Sequence, residues 1–280
     1  MMWKETYRLG IKSIDEQHIQ LFQMTEDLVK AVQKGASVRE YQKALAFLKE
    51  YVVCHFREEE AYQASIQYEG LPDHQEEHRQ FTRTVQKFEQ RLMEDGFSEK
   101  AMKDLVGAVT AWLVYHVAGA DQKIVAGSKG SAGENVCGQS AELFSRCAQD
   151  VLETMAGLEA GSVQREETSI RSPQGDILIR IRLVGDVKGD AVFAFSQELA
   201  LHLFQAMTGM ELEEMDELVQ SALCELTNIA CGNAATAFTQ RGLQCDIKPP
   251  ELLDALPEER GGVVTCLHTP LGAWEISVAS

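Results

Sequence analysis

The sequence predicts two folds in one chain: an all-α up-down four-helix bundle over residues 1–126 and an α+β domain over residues 138–280. Apolar residues recur every three or four positions in the first segment, whereas the second alternates between strand-like and helical periods. Residues 127–137, rich in glycine and serine, are typical of a flexible linker. At 280 residues, the chain is long enough to bury two separate cores.

Start and stop signals place four helices in the first segment. Ser37 and Glu40 have the spacing of a capping box, which predicts that a helix starts there, and Gly35 predicts the end of the helix before it. The predicted helices run from about Ile14 to Lys34, from Ser37 past Glu59, from Pro72 to Asp95 and from Ser98 to His116.

Seven polar side chains lie on or directly after the apolar stripes of these helices, which should face the core. Burying them without partners would cost about 1–3 kcal/mol for each polar group. A metal removes this cost, because imidazole and carboxylate suit iron, zinc or copper. The candidate ligands are His18, His55, Glu59, His74, His78, His116 and Asp121.

The type of metal site is narrowed by what the chain lacks. Ferritin-like carboxylate di-iron sites use Glu-x-x-His motifs, in which a glutamate lies three residues before a histidine. This motif does not occur in the sequence. A site dominated by histidine suits reversible dioxygen binding better than oxidase chemistry. The pattern therefore predicts a non-haem di-iron centre that binds dioxygen.

The spacing of the last two candidate ligands predicts an irregular helix. His116 and Asp121 are five residues apart, which on a regular helix separates them by about 140°. Both can face the metal only if the helix widens locally, as in a π-bulge. Gly119 lies between them and permits this.

The second segment reads as a sheet packed against helices. Ile177–Val184 alternates apolar residues with Arg180 and Arg182, as a half-buried strand does. The other predicted strands are Val163–Arg171, Ala191–Phe195, Gly262–Leu267 and Ala273–Val278, with a turn over 172–176. The predicted helices are Ala141–Met155, Glu198–Met207 and Met215–Arg241.

Composition excludes several classes of partner and compartment. The net charge is −17, of which −4 falls in residues 1–127 and −13 in residues 128–280, so nucleic acids and anionic membranes are poor partners. No stretch approaches the ~20 apolar residues of a membrane span, and the sequence begins without a signal peptide. Seven cysteines without a Cys-x-x-Cys pair indicate reduced thiols and a cytoplasmic protein.

Residues 1–126 resemble a bacterial hemerythrin domain. The resemblance rests on Asp15-Glu16-Gln17-His18, His55-Phe56 with Glu58-Glu59, His74-x-x-x-His78 and Trp112-Leu113-x-x-His116-x-x-x-x-Asp121. It implies a pair of oxo- or hydroxo-bridged irons. One iron takes His74, His78 and His116, and the other takes His18 and His55 and keeps an open position for dioxygen. Glu59 and Asp121 bridge them.

Residues 138–280 resemble the CheX/CheC family of chemotaxis phosphatases, through Gly185-x-x-x-Gly189 and the long string 216–236. The resemblance implies dephosphorylation of a phosphorylated CheY-like receiver. Asn228 would orient the attacking water and Glu225 would pair with a receiver lysine. The receiver supplies its own Mg²⁺. Glu142 and Ser145 on the first helix do not repeat this pair, so one active face is expected, and a homodimer stays open.

Three functions remain open at this point. In the preferred one, dioxygen or redox state at the bundle tunes phosphatase activity on a response regulator. In the second, the protein binds oxygen and its C-terminal domain docks onto a partner without catalysis. In the third, the iron domain is structural and the phosphatase is unregulated.

Overall fold

The chain forms two compact units, Met1–Ala132 and Gly133–Ser280. The computed structural model describes all residues except Met1, Ala36, 126–139, Ala160, 172–175, Glu211, Glu213, 256–261 and Ser280. The predicted linker and most of the predicted turn over 172–176 lie outside the described residues. None of the described helices is long and apolar enough to cross a membrane.

The first unit is an antiparallel bundle built from four long helices. Helix α1 packs against α2 and α4, and α3 packs against the same two helices, which closes a ring. Short connections make sequence neighbours antiparallel, so the predicted all-α fold is confirmed. The helices are α1 (Lys12–Gln33), α2 (Val38–Ser65), α3 (Leu71–Glu94) and α4 (Glu99–Tyr115), followed by a π-helical turn (His116–Ala120) and α5 (Gln122–Val125).

The helices begin and end close to the capping and glycine signals in the sequence. The capping box is confirmed: the Ser37 hydroxyl accepts from the Glu40 backbone N–H, and the Glu40 carboxylate accepts from the Ser37 backbone N–H. Gly35 and Gly96 adopt φ values of +66° after α1 and α3, a conformation that glycine reaches without strain.

An N-terminal arm, residues 2–11, is tied to the bundle by buried carboxylates. Asp15 accepts backbone N–H groups from Leu9 and Gly10, at 2.7 and 3.1 Å. Tyr7 stacks on Phe22 of α1 with ring centroids 5.4 Å apart. The arm therefore covers the part of α1 that carries the first candidate ligand.

In its described residues, the second unit is a seven-stranded antiparallel sheet with three helices, as predicted in outline. The strand order is β1-β6-β7-β3-β2-β4, and β5 also pairs with β2. The strands are β1 (Gln164–Arg171), β2 (Ile177–Gly185), β3 (Gly189–Phe195), β4 (Cys245–Ile247), β5 (Glu251–Leu253), β6 (Gly262–Thr269) and β7 (Gly272–Ala279). The helices are α6 (Ser140–Ala156), α7 (Gln197–Thr208) and α8 (Glu217–Gln240).

The edge of the sheet fixes the position of α8. Helix α8 packs on β2 and β4, and β2 pairs with β4 beside Gly185. Gly185 has φ +122°, and a Cβ there would lie 2.5 Å from the Gln244 carbonyl oxygen. Only glycine permits this close approach of two backbones, which brings β4 under the second half of α8.

Candidate metal centre and a second polar site

The structure brings all seven predicted ligands together in the interior of the bundle. Each is buried, with between 0 and 4 % of its surface exposed. The α2, α3 and α4 stripes aim their side chains at one level, and His18 faces them from α1. The first set of converging donor atoms comes from Glu59, His74, His78 and His116, and the second comes from His18, His55 and Glu59.

Glu59 is shared by both donor sets and lies at their centre. Its Oε2 atom is 3.3 Å from the Nε2 atoms of both His74 and His78. The same oxygen is 3.9 Å from Nε2 of His55. A carboxylate reached from both sides is placed to bridge a pair of cations.

Asp121 faces both sets with different oxygens. Its Oδ2 is 3.2 Å from His18 Nε2, while its Oδ1 is 3.1 Å from His116 Nε2. The predicted π-helical turn is confirmed: the Asp121 backbone N–H donates to the His116 carbonyl oxygen, five residues earlier, at 2.9 Å. This widening puts both side chains on one face.

The outer nitrogens of three ligand histidines are held by acceptors that the sequence analysis did not assign. His78 Nδ1 is 2.8 Å from Glu60, and His116 Nδ1 is 3.2 Å from Glu77. His55 Nδ1 is 3.0 Å from Gln17 Oε1. Glu60 adjoins Glu59, Glu77 lies between two ligands and Gln17 precedes His18, so adjacency to the ligands was the available signal.

The hydrogen bonds from the Nδ1 atoms determine which nitrogen of each ring can bind a metal. A ring that donates from Nδ1 presents a lone pair at Nε2. The Nε2 atoms of His78 and His116 nevertheless face each other at 2.9 Å. With both Nδ1 atoms donating outward, two Nε2 lone pairs at this distance repel each other unless one metal ion binds both. This arrangement fits a metal, because carboxylate-bound histidines are the usual ligands of metal sites.

Buried polar atoms without hydrogen-bond partners also indicate a metal at this site. Both nitrogens of His18, both carboxylate oxygens of Asp121 and Oε1 of Glu59 have no hydrogen-bond partner. Each would cost about 1–3 kcal/mol if left so. A bound cation would satisfy the carboxylate oxygens and Nε2 of His18, although not its Nδ1, and a donor set of imidazole and carboxylate suits iron.

Burial also keeps three of the five imidazoles in the form that binds metal, whereas the carboxylates around His74 raise its pKa against the effect of burial. Burial lowers the pKa of His18 to about 4 and the pKa of His55 to about 3. It also lowers the pKa of His116 well below its usual value. Neutral imidazole is the ligand form, so these rings are ready to bind a metal at neutral pH.

A small cavity adjoins two of the histidines, His55 and His116. It leaves about 10 Å³ for the centre of a water-sized molecule, which is room for about one water. Its walls are mostly apolar. They include Leu21, Thr25, His55, Phe56, Trp112 and His116.

The second predicted site lies on α8 in the other unit. Asn228 is half-buried and its Nδ2 is 3.4 Å from Oε2 of Glu225, which is 8 % exposed. Burial raises the pKa of Glu225 to about 8, although the hydrogen bond from Asn228 opposes the shift. The two side chains therefore lie together on one helix face, as their spacing indicated.

The neighbouring residues differ from this pair. On α6, Ser145 is buried and Glu142 pairs with Arg165 at 3.4 Å. Cys224 is half-buried and Cys231 is buried, and the described cysteines form no disulfide.

The geometry defines a class of protein first: a non-haem metal-binding helical bundle joined to an α+β domain. A family model described as the hemerythrin HHE cation binding domain matches residues 9–126, and one for the chemotaxis phosphatase CheX matches residues 177–261. The bacteriohemerythrin of Clostridium acetobutylicum is 32% identical over 127 residues, which are 44% of this chain and 98% of that protein.

The chain belongs to the hemerythrin family, and residues 177–261 in its second part match the CheX family model. The CheY-P phosphatase CheX of Thermotoga maritima is 38% identical over 74 residues, covering 26% of this chain and 48% of that protein. A solved CheX–CheY–BeF3–Mg complex from Borrelia burgdorferi is 24% identical, with a TM-score of 0.45, over 50% of this chain and 97% of that one.

Replacing one central ligand tests the metal site. We expect His78→Ala to bind less iron per chain than the wild type and to unfold at a lower temperature, because His78 contacts both Glu59 and His116. Iron content and thermal unfolding measure these effects. The matched control is His268→Ala, since His268 is 48 % exposed in the other unit. Equal iron in both variants would contradict the assignment.

Replacing an outer carboxylate tests the role of the surrounding shell. Glu60→Gln should weaken iron binding about tenfold, since it removes the acceptor that orients His78 and raises its basicity. Competition against a chelator measures this. Glu76→Gln is the control, because Glu76 pairs with Arg79 and Arg83 at the surface. An iron affinity in E60Q equal to that of the control would contradict this role for Glu60.

The raised pKa of Glu225 predicts a pH-dependent cost in stability. The unfolded chain loses this proton near pH 4.5 and the folded chain near pH 8, so stability falls as pH rises between these values. Between these pH values the free energy of unfolding falls by about 1.4 kcal/mol per pH unit. Glu225→Gln should therefore stabilise the second unit increasingly from pH 5 to pH 8, followed by denaturant unfolding. The exposed Glu214→Gln serves as control, and a pH-independent difference would contradict the prediction.

Proposed function

We propose that the chain is a sensor-effector protein: a di-iron centre in the bundle binds dioxygen and tunes dephosphorylation of a CheY-like response regulator. The di-iron centre is supported by the convergence of seven buried candidate ligands whose lone pairs point inward. The observation that carries the second half is the Glu225–Asn228 pair on α8 of a CheX domain. Their presence in one chain supports a link between them.

Each ligand has a defined role in holding the irons. His74, His78 and His116 would bind one iron, His18 and His55 the other, and Glu59 and Asp121 would bridge them. When bound, the irons supply reversible dioxygen binding with electron transfer. The protein supplies a small apolar cavity beside His55 and His116, which would exclude bulk water and larger ligands.

The α8 pair supports aspartyl-phosphate hydrolysis on a partner. Asn228 is half-buried on the helix, and a carboxamide can donate to and accept from one water at once. It would orient this water in line with the phosphoryl group of the receiver, whose own Mg²⁺ neutralises the developing charge. Phosphoryl transfer depends mainly on such positioning and electrostatics.

Glu225 would hold the complex in register. Its pKa of about 8 leaves it largely protonated at neutral pH in the chain alone. A lysine ammonium from the receiver would favour the carboxylate form. Pairing with the partner would then remove the cost of burying this acid.

A second candidate function is oxygen binding with a docking domain that does not catalyse. The burial of Glu225 favours it, because a side chain 8 % exposed must become accessible before it can contact a partner lysine. The two candidates differ in whether the rate of phosphate loss from the receiver depends on Asn228.

Replacing the carboxamide discriminates between the two candidates. We expect Asn228→Ala and Asn228→Asp to reduce receiver dephosphorylation by about 100-fold or more, since positioning of the nucleophile accounts for most of the rate. Phosphate release from a phosphorylated CheY-like receiver measures the rate. Asn233→Ala, on the same helix but about 140° around it, is the control. Unchanged hydrolysis with N228A would favour the docking function.

A further inference from the structure

A wide surface groove lies between α2 and α3, on the outer side of the bundle. It has a volume of about 730 Å³ and is open to solvent. On α2 it is lined by Val53, which is 63 % exposed, and by Ala61. On α3 it is lined by His78 and Thr82. The groove therefore brings solvent to the line where these two helices meet, beside one candidate ligand.

The small cavity beside His55 and His116 lies on the inner side of the same two helices. Its lining residues are all buried except Val52, which is half-buried. Among the described residues that line this cavity, Phe56 alone also lines the groove. The Phe56 side chain is only 7 % exposed. Its ring therefore forms part of the wall between the groove and the interior of the bundle.

The Phe56 ring is held in this wall by contacts with other rings. It stacks on His78 with ring centroids 3.7 Å apart and an interplanar angle of 8°. It also contacts Phe81 and Trp112 edge-to-face, with centroids 6.1 and 5.6 Å away. Such ring pairs contribute modestly beyond the area that they bury. Rotation about its side-chain bonds can therefore move the ring to another rotamer without a change in the helix.

We propose that Phe56 is the gate through which dioxygen passes from the α2–α3 groove to the cavity beside the metal centre. The inference rests on the proposed oxygen-binding function. The cavity walls are mostly apolar, so an uncharged diatomic molecule enters without the desolvation cost that an ion would meet. A gate changes the barrier and leaves the free and bound states as they are. Entry and exit rates should therefore depend on Phe56, whereas the equilibrium affinity should not.

The chain offers a matched control in the same cavity wall. Phe81 of α3 lines the cavity, is 6 % exposed and stacks on Trp112 at 3.9 Å, but it does not line the groove. Leucine at either position enlarges the cavity, whereas only Phe56→Leu thins the wall towards the groove. Phe56→Met serves as a second variant, because methionine is flexible and fills a gap of similar size.

The test measures association and dissociation rates of dioxygen by stopped-flow mixing with the iron-loaded, reduced full-length chain. Phe56→Leu and Phe56→Met should raise both rates by about three- to tenfold, because the ring contacts that hold the wall are lost. The Kd should stay within about twofold of the wild type, since only the barrier changes. Phe81→Leu should leave both rates within about twofold of the wild type, since the wall towards the groove is intact.

The outcomes separate this proposal from the proposed function. Equal rates in the wild type, F56L and F56M overturn the gate while leaving oxygen binding intact. Equal acceleration by F56L and F81L overturns it too, because the effect would come from cavity volume. A changed Kd that arises from one rate alone also overturns it, since Phe56 would then act on the bound ligand. A wild-type chain that binds iron but no dioxygen overturns both the gate and the proposed function.

Discussion

Glu59 is the constraint on which the first unit depends. It carries a carboxylate into the centre of a bundle where four histidines approach one of its oxygens within 4.0 Å. In water this arrangement would be screened, but inside the bundle each uncompensated group costs as much as a large part of the stability of a domain. A bound metal would use the same groups as ligands and would thereby remove this cost. Folding of the bundle and cation binding are therefore linked.

The two sides of the site are supported differently. The three-histidine side has carboxylates, Glu60 and Glu77, behind two of its rings, whereas the two-histidine side has the amide oxygen of Gln17 behind His55. Carboxylates increase the basicity of the rings that they contact. In the proposed site, this asymmetry would make the three-histidine side the stronger donor set.

In the second unit, stability and the proposed function oppose each other at Glu225. Burying Glu225 costs stability at neutral pH, and the only described side-chain contact that offsets this is the hydrogen bond from Asn228 at 3.4 Å. A binding face that is under strain until the partner arrives is common at functional sites. The partner's lysine would then supply what the isolated chain lacks.

Sequence patterns predicted most of the fold and the inner shell of the site. Ligand spacing places histidines on helix stripes, and the five-residue step from His116 to Asp121 requires the π-helical turn that the structure contains. The outer acceptors were not predicted, since Gln17, Glu60 and Glu77 read as ordinary polar positions until neighbouring helices are placed. Strands β4 and β5 were missed because three residues are too short for a period to register.

The central claim is that oxygen at the bundle changes phosphatase output, and one rate measurement tests it most directly. Phosphate loss from a phosphorylated CheY-like receiver would be followed with the iron-loaded chain, first reduced and anaerobic and then after exposure to air. The account predicts a change in rate of about fivefold or more, the usual size of coupling between two sites, and no such change in His78→Ala. Equal rates in the two states would contradict it, because a ligand without differential affinity for two output states shifts neither.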